Sequence, residues 1–295
     1  MILAYWRMAR PLMLLSIFLV YALGGLVALA NGGVFNSLSF IWGWAALLPL
    51  SMSVHYINEY ADYETDALTR RTAFSGGSGV LSTGTIPRSA ALRAAWIAAG
   101  AGALIALAGM NAGAVNLTAA LLLLIGTVGG WMYSVEPLKL AWRGWGEVDN
   151  ALLGGMILPL FGYAIQTGEV SLRSALTFVP FTIFVFTNLL AVTWADRHAD
   201  GQVGKRTLAV LLPAVRLRIL YLIALIGGAA VFVGLLDGAI PLASAWTMLV
   251  SLPLMIWGAL AYTRIDSPHP SVYLMVVFLI AQLVYWQTVT LTPLG

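Results

Sequence analysis

Cysteine is absent from the chain, which excludes disulfides, thiolate zinc sites and thiol nucleophiles in one step. Charge is nearly as scarce. Only 9% of the 295 residues are Asp, Glu, Lys or Arg, against about a quarter in ordinary soluble domains, so a water-surrounded globule is excluded as well. No stretch suggests a separate soluble domain. A cleavable signal is not expected either, because Arg7 and Arg10 precede an apolar run, Pro11 to Ala30, that is longer than a signal core. That first segment is expected to stay in the membrane. The small positive excess, +3, reports topology before anything else, and nucleic acid is not implied as a partner.

What fills the sequence instead is hydrophobic residues, 60% of the total. Apolar segments of about 20 residues, the length that spans a hydrocarbon core, fall at about 11–30, 38–58, 89–109, 114–134, 148–167, 174–195, 215–236, 241–262 and 270–291. They predict an all-α membrane protein, a single polytopic domain over residues 1–295, with nine transmembrane helices bundled around a central site. With the first end inside, Arg7, Arg10, Arg70, Arg71, Arg88, Arg93, Lys139, Arg143, Arg197, Lys205, Arg206, Arg216, Arg218 and Arg264 lie on the inner side, and only Arg173 lies outside. The excess of inner positive charge predicts a cytoplasmic N-terminus, an outer C-terminus and a place in the cell membrane. The acids follow the bases, leaving only Glu169 and Asp237 outside. Acids and bases mixed at one face suit a site, open to the cytoplasm, that binds metal and polyanion together.

Two short stretches at that face carry the chemistry. NEYADYETD, residues 58–66, sets Asn58, Asp62 and Asp66 four residues apart at the end of the second apolar segment, and a helix continuing through it puts all three on one face. WADRHAD repeats the device with Asp196 and Asp200 at the end of the sixth segment. Hard cations such as Mg²⁺ take carboxylate oxygens together with substrate phosphates. The two pairs therefore predict a Mg-diphosphate clamp in which Asp62, Asp66, Asp196 and Asp200 hold the metal and Asn58 adds a neutral oxygen. Such a clamp would stabilise the charge developing on a phosphate leaving group at a membrane surface. Arg71, Lys139, Lys205 and Arg206 are candidate donors to that diphosphate.

A lone acidic pair reads as a solvated helix end, whereas two pairs on one membrane face call for a shared cause. The glycine-rich FSGGSGVL, Phe74 to Leu81, lacks the Lys and Thr of a nucleotide-binding loop and is expected to fold over the site. His55 and His198 are read as interfacial hydrogen-bonding residues, and most Trp and Tyr as membrane-interface belt. The acidic ends of segments two and six, each followed by a Gly-containing basic loop, suggest two four-helix halves with the ninth helix as an addition.

NEYADYETD resembles the N-D-x-x-D-x-x-x-D motif of the UbiA superfamily of intramembrane prenyltransferases, and DRHAD resembles that superfamily's second D-x-x-x-D motif. Glu59 stands where the family usually has Asp. Within the superfamily, DRHADGQVGKRTLAV and YSVEPLKLAWRGWGE are similar to the menaquinone-pathway branch, whose acceptor is dihydroxynaphthoate. The resemblance implies Mg²⁺ as cofactor, with a prenyl diphosphate and an aromatic acceptor as partners. It also implies that Tyr133 and Lys139 correspond to a Tyr/Lys element between helices four and five, with Tyr133 in a catalytic role, and that Arg10 before Pro11 reaches the phosphate.

Other acceptors remain open at this point: hydroxybenzoate, homogentisate, chlorophyllide, glycerol-phosphate ethers and carotenoid ends. A cation-coupled transporter is the reading from a different class, since intramembrane carboxylates and internal repeats occur there too. The two differ in depth, because transporter sites sit near the bilayer midplane and these acids sit at one rim.

Overall fold

The structure, a computed structural model, describes residues 1–68 and 76–291. Among the described residues nine helices are long and apolar enough to cross a membrane: α1 Pro11–Ala30, α2 Ser37–Ala61, α3 Arg88–Asn111, α4 Leu117–Ser134, α5 Gly146–Thr167, α6 Leu172–Gln202, α7 Ala214–Gly234, α8 Leu242–Ala261 and α9 His269–Leu291. Their starts follow local chemistry. Pro11 opens α1, where a missing N–H costs nothing. Asn36 and Asn116 cap α2 and α4 by accepting from Ser39 and Ala119 N–H, and Ser171 forms a capping box with Ser174 at α6.

Two helices overrun the membrane at the end that carries the acids. At 1.5 Å per residue the 31 residues of α6 reach about 46 Å, well beyond a hydrocarbon core of about 30 Å. DRHAD is therefore helical, and the helix runs past the apolar segment read to about 195, ending at Gln202 with Val203 as its cap. Apolarity ends where the membrane does, but the helix ends where its hydrogen-bond ladder stops, near Gly204 with φ +78°. At the other motif α2 stops at Ala61 with Asp62 as its cap, and a short helix, Tyr63–Leu68, follows. The row of three survives this hitch, because Asp62 N–H donates to Asn58 O and Asp66 N–H to Asp62 O, both at 2.8 Å.

The helices pack as a ring rather than as a row. α2 lies against α3 and α4, α5 against α1, α4 and α6, and α6 against α7. α9 packs on α1, α6 and α8 and buries Leu274, Phe278 and Trp286 in the main core, so it closes the bundle instead of standing outside two four-helix halves. α1 and α5 approach most closely at Gly24 and Gly162. A Cβ on either would lie about 2 Å from a carbonyl oxygen of the facing helix, which is how small residues let membrane helices touch backbone to backbone. A smaller cluster below the acidic ends joins Ala4, Met8, Tyr56, Ile57, Val80 and Leu81. It roots the segment after the glycine-rich stretch.

Candidate active site

The two acidic helix ends meet through one side chain. Lys205, in the turn after α6, is buried and places Nζ 3.1 Å from Asp62 Oδ1 and 3.6 Å from Asp200 Oδ1. Lys205 N–H also donates to Asp200 O at 2.9 Å, so the backbone turn itself points the ammonium back toward both motifs. Burial disfavours that ammonium, yet Asp62, Asp200 and the Tyr133 hydroxyl outweigh it and hold its pKa well above the ordinary lysine value. Asp66 shows the opposite imbalance. Its burial, with Asp62 and Glu59 nearby, pushes its pKa up to about 7, the mark of a carboxyl crowded by like charge and short of cations.

Around this centre the first motif is tied on every side. Asn58 accepts from Arg10 Nη2 at 3.1 Å through Oδ1 and donates from Nδ2 to Asp62 Oδ2 at 2.9 Å. Its amide thus orients Asp62 in this arrangement. Arg10, held at φ +52° before α1, spends its guanidinium on Glu59 at 2.7 Å and on Asn58. Burial disfavours its charge too, but Glu59 more than restores it and raises the pKa. Gly77 lies directly against the Asp66 carboxylate, so the described part of the glycine-rich stretch does fold over the motif. Phe74 and Ser75 lie outside the described residues.

The other expected residues divide. Asp196 is half-buried one turn before Asp200 on α6. Tyr133 packs on Gly146 at the start of α5 and acts on Lys205. Lys139 is not gathered in: its ammonium sits 3.9 Å from the centre of the Trp142 ring, and no bond joins it to Tyr133 among the described residues. Arg206 is exposed and makes no ion pair among the described residues. Arg71 lies outside them. His55 Nδ1 lies 2.6 Å from Ala9 O and His198 is exposed, both consistent with hydrogen-bonding or surface roles.

Sequence reasoning missed two residues of this frame. Arg88 donates to Tyr60 O at 2.9 Å and stacks 4.6 Å over the Tyr60 ring, pinning the turn at Asp62. Ser78 binds Glu59. Arg88 gives no signal in one dimension, and Ser78 lies in the glycine-rich stretch expected over the site without any mark of its pairing with Glu59.

Mg²⁺ can be tested against this donor set. Among the described residues no group of three or more acidic or histidine side chains is close enough to hold a metal as arranged. The chemistry nevertheless fits a hard cation: the two facing acidic ends are bridged by a lysine ammonium, and Asp200 Oδ1 is buried without a hydrogen bond. One cation already stands between the motifs.

A 1,4-dihydroxy-2-naphthoate octaprenyltransferase of Bacillus subtilis (strain 168) is 27% identical over 207 residues, 70% of this chain and 65% of the relative. The chain thus spans just under two thirds of that protein's length. The apo structure of a UbiA homolog from Aeropyrum pernix K1 superposes with a TM-score of 0.71 at 20% identity over 92% of this chain and 97% of that one. A UbiA homolog from Archaeoglobus fulgidus, bound to DMAPP and Mg²⁺, gives 0.66 at 20% identity over 98% and 99%. At such identities the likeness is one of fold. The model of the UbiA prenyltransferase family matches residues 18–291, nearly the whole chain and both acidic helix ends, and the chain belongs to that family.

Proposed function

We propose that the protein transfers a polyprenyl group from an allylic prenyl diphosphate to an aromatic acceptor of the dihydroxynaphthoate kind, with release of diphosphate and dependence on Mg²⁺. The observation that carries the reading is the Lys205 ammonium set between Asp62 and Asp200. It marks a place where two acidic helix ends share positive charge at the rim of the bundle. That position also speaks against the transporter, whose carboxylates belong near the midplane. The naphthoate acceptor rests on the Bacillus subtilis relative, and Mg²⁺ on the donor set together with the Archaeoglobus fulgidus complex.

Asp62, Asp66, Asp196 and Asp200 would hold the metal. Bound there, Mg²⁺ supplies Lewis-acid stabilisation of the charge on the departing diphosphate. The chain's own groups do the rest. Asn58 keeps Asp62 turned inward, and Gly77 covers Asp66 against water. Lys205, set between the two carboxylates, would serve as a charge-assisted donor to the diphosphate, with Arg206 at the open side. The excess of Lys and Arg at this rim supports a cytoplasmic side for it, and the apolar bundle supports a prenyl tail in the lipid phase.

The test is direct. Purified protein in bilayer nanodiscs, given a labelled prenyl diphosphate, Mg²⁺ and a panel of acceptors, should prenylate dihydroxynaphthoate and stop in EDTA. Turnover only with hydroxybenzoate or homogentisate would reassign the acceptor, and full turnover in EDTA would refute the metal.

A further inference from the structure

Glu59 belongs to the first acidic motif but uses its carboxylate differently from its neighbours. It is 2% exposed. Oε1 accepts from Arg10 Nη2 at 2.7 Å, from Arg10 Nε at 3.1 Å and from Ser78 N–H at 2.8 Å, while Oε2 accepts from Ser78 Oγ at 2.6 Å. A carboxylate offers about four lone-pair positions, and four donors already point at them. Three of them crowd Oε1 and one meets Oε2, so most of the carboxylate is taken up by protein donors.

The two donors come from opposite sides of the site. Arg10 precedes α1 and also holds the Asn58 amide that orients Asp62. Ser78 follows Gly77, whose φ is +62° and whose backbone lies so close to Asp66 that a Cβ would fall 2.0 Å from Oδ2. Just beyond, Val80 and Leu81 are buried in the cluster that also holds Met8 and Ile57. One carboxylate therefore ties the entry of α1, the end of α2 and the glycine-rich stretch into one frame around Asp62 and Asp66.

We propose that Glu59 is a positioning residue: it latches Ser78 and Arg10 so that the Gly77 backbone stays seated on Asp66 and Asn58 stays turned to Asp62. The proposal rests on the diphosphate-binding reading above for its consequence, though not for the latch itself. An aspartate here is one carbon–carbon bond, about 1.5 Å, shorter and does not span both donors. In this chain the Arg10 and Ser78 donors are set for the longer side chain.

Two measurements test it, both without turnover. The first is amide hydrogen exchange of the metal-free protein in nanodiscs, read at peptides covering residues 77–81 and, as an internal control, α7. The second is calorimetric binding of inorganic diphosphate with Mg²⁺. In Glu59→Asp the 77–81 peptide should exchange about tenfold faster or more, the loss expected for a broken charge-assisted bond, with α7 unchanged, and diphosphate should bind about tenfold more weakly. Ser78→Ala, which removes the hydroxyl that donates to Glu59 and accepts from Val80 N–H at 3.2 Å, should give the same pattern with changes of about threefold beyond the loss at Val80 itself. Unchanged exchange in both variants would overturn the latch. Faster exchange with unaltered diphosphate binding would overturn its positioning role, and weaker Mg²⁺ binding with unaltered exchange would make Glu59 a metal ligand instead. Absence of prenyl transfer in a protein that passes both tests would refute the proposed reaction and leave the latch standing.

Discussion

The two acidic helix ends share a sequence device and differ in mechanics. At the end of α2 the helix breaks at Asp62, and every polar side chain of the Asn58, Glu59, Asp62, Asp66 row is engaged by Arg10, Ser78, Lys205 or the Gly77 backbone. At the end of α6 the helix runs through unbroken. Its arginine turns away from the centre, with Arg197 Nη1 donating to Asp266 at 2.8 Å and stacking 3.6 Å over Trp194, and buried Asp200 has an oxygen without a hydrogen bond. The first end is a prebuilt frame, and the second is a rigid rod that brings two carboxylates up to it. A clamp of this kind needs only one side fixed in detail.

The strongest way to break the contrast is to remove the charge that joins its halves. Lys205→Met leaves Asp62 and Asp200 buried without a counter-charge, a loss of about 3–5 kcal/mol for a broken buried pair. The thermal midpoint in EDTA should fall and then partly recover with Mg²⁺, because metal takes over the lysine's position. A fall that Mg²⁺ leaves untouched would separate the two sites. Next come the carboxylates: Asp62→Ala and Asp196→Ala should each cut turnover about 10²–10³-fold, as for loss of a key electrostatic stabiliser, with helix content by circular dichroism unchanged. Near-normal turnover in either would remove it from the site.

Smaller effects sharpen the asymmetry. Gly77→Ala combines a positive φ with a clash on Asp66 and should cost about 1–3 kcal/mol of strain, seen as a raised Mg²⁺ requirement. No glycine of α6 faces an Asp in this way, so Gly201→Ala should leave the Mg²⁺ requirement where it is. Smallest of all, Arg197→Met breaks a pair whose partner Asp266 is 70% exposed, worth under about 1 kcal/mol. Lys139→Gln, removed from the carboxylates and resting on Trp142, should likewise leave prenyl-diphosphate affinity nearly unaltered.

The membrane spans were legible because apolarity and length alone define them, and the observed ends of α1, α3 and α9 fall within about two residues of those read from hydropathy. The Asn58, Asp62, Asp66 row was legible for the same reason, a local spacing on a local helix. What stayed hidden is long-range. Lys205 reaches Asp62 across 143 positions and Arg10 reaches Glu59 across 49, and neither pairing leaves a local trace. Arg10, expected at the phosphate, has its Nε and Nη2 engaged by Glu59 and Asn58, and Lys139, grouped with the site, has its ammonium resting on an indole. The extent of α6 was misread because charge marks where the membrane ends, not where the backbone ladder does.

The central claim is that both helix ends grip one metal-diphosphate, and a stoichiometric metal measurement tests it most directly. Mn²⁺, standing in for Mg²⁺, would be followed by its electron paramagnetic resonance signal in the presence of an unreactive prenyl-diphosphate analogue. The account predicts binding to the wild-type protein that is lost in Asp62→Asn and equally in Asp200→Asn. Retention of full Mn²⁺ binding in either variant would contradict it.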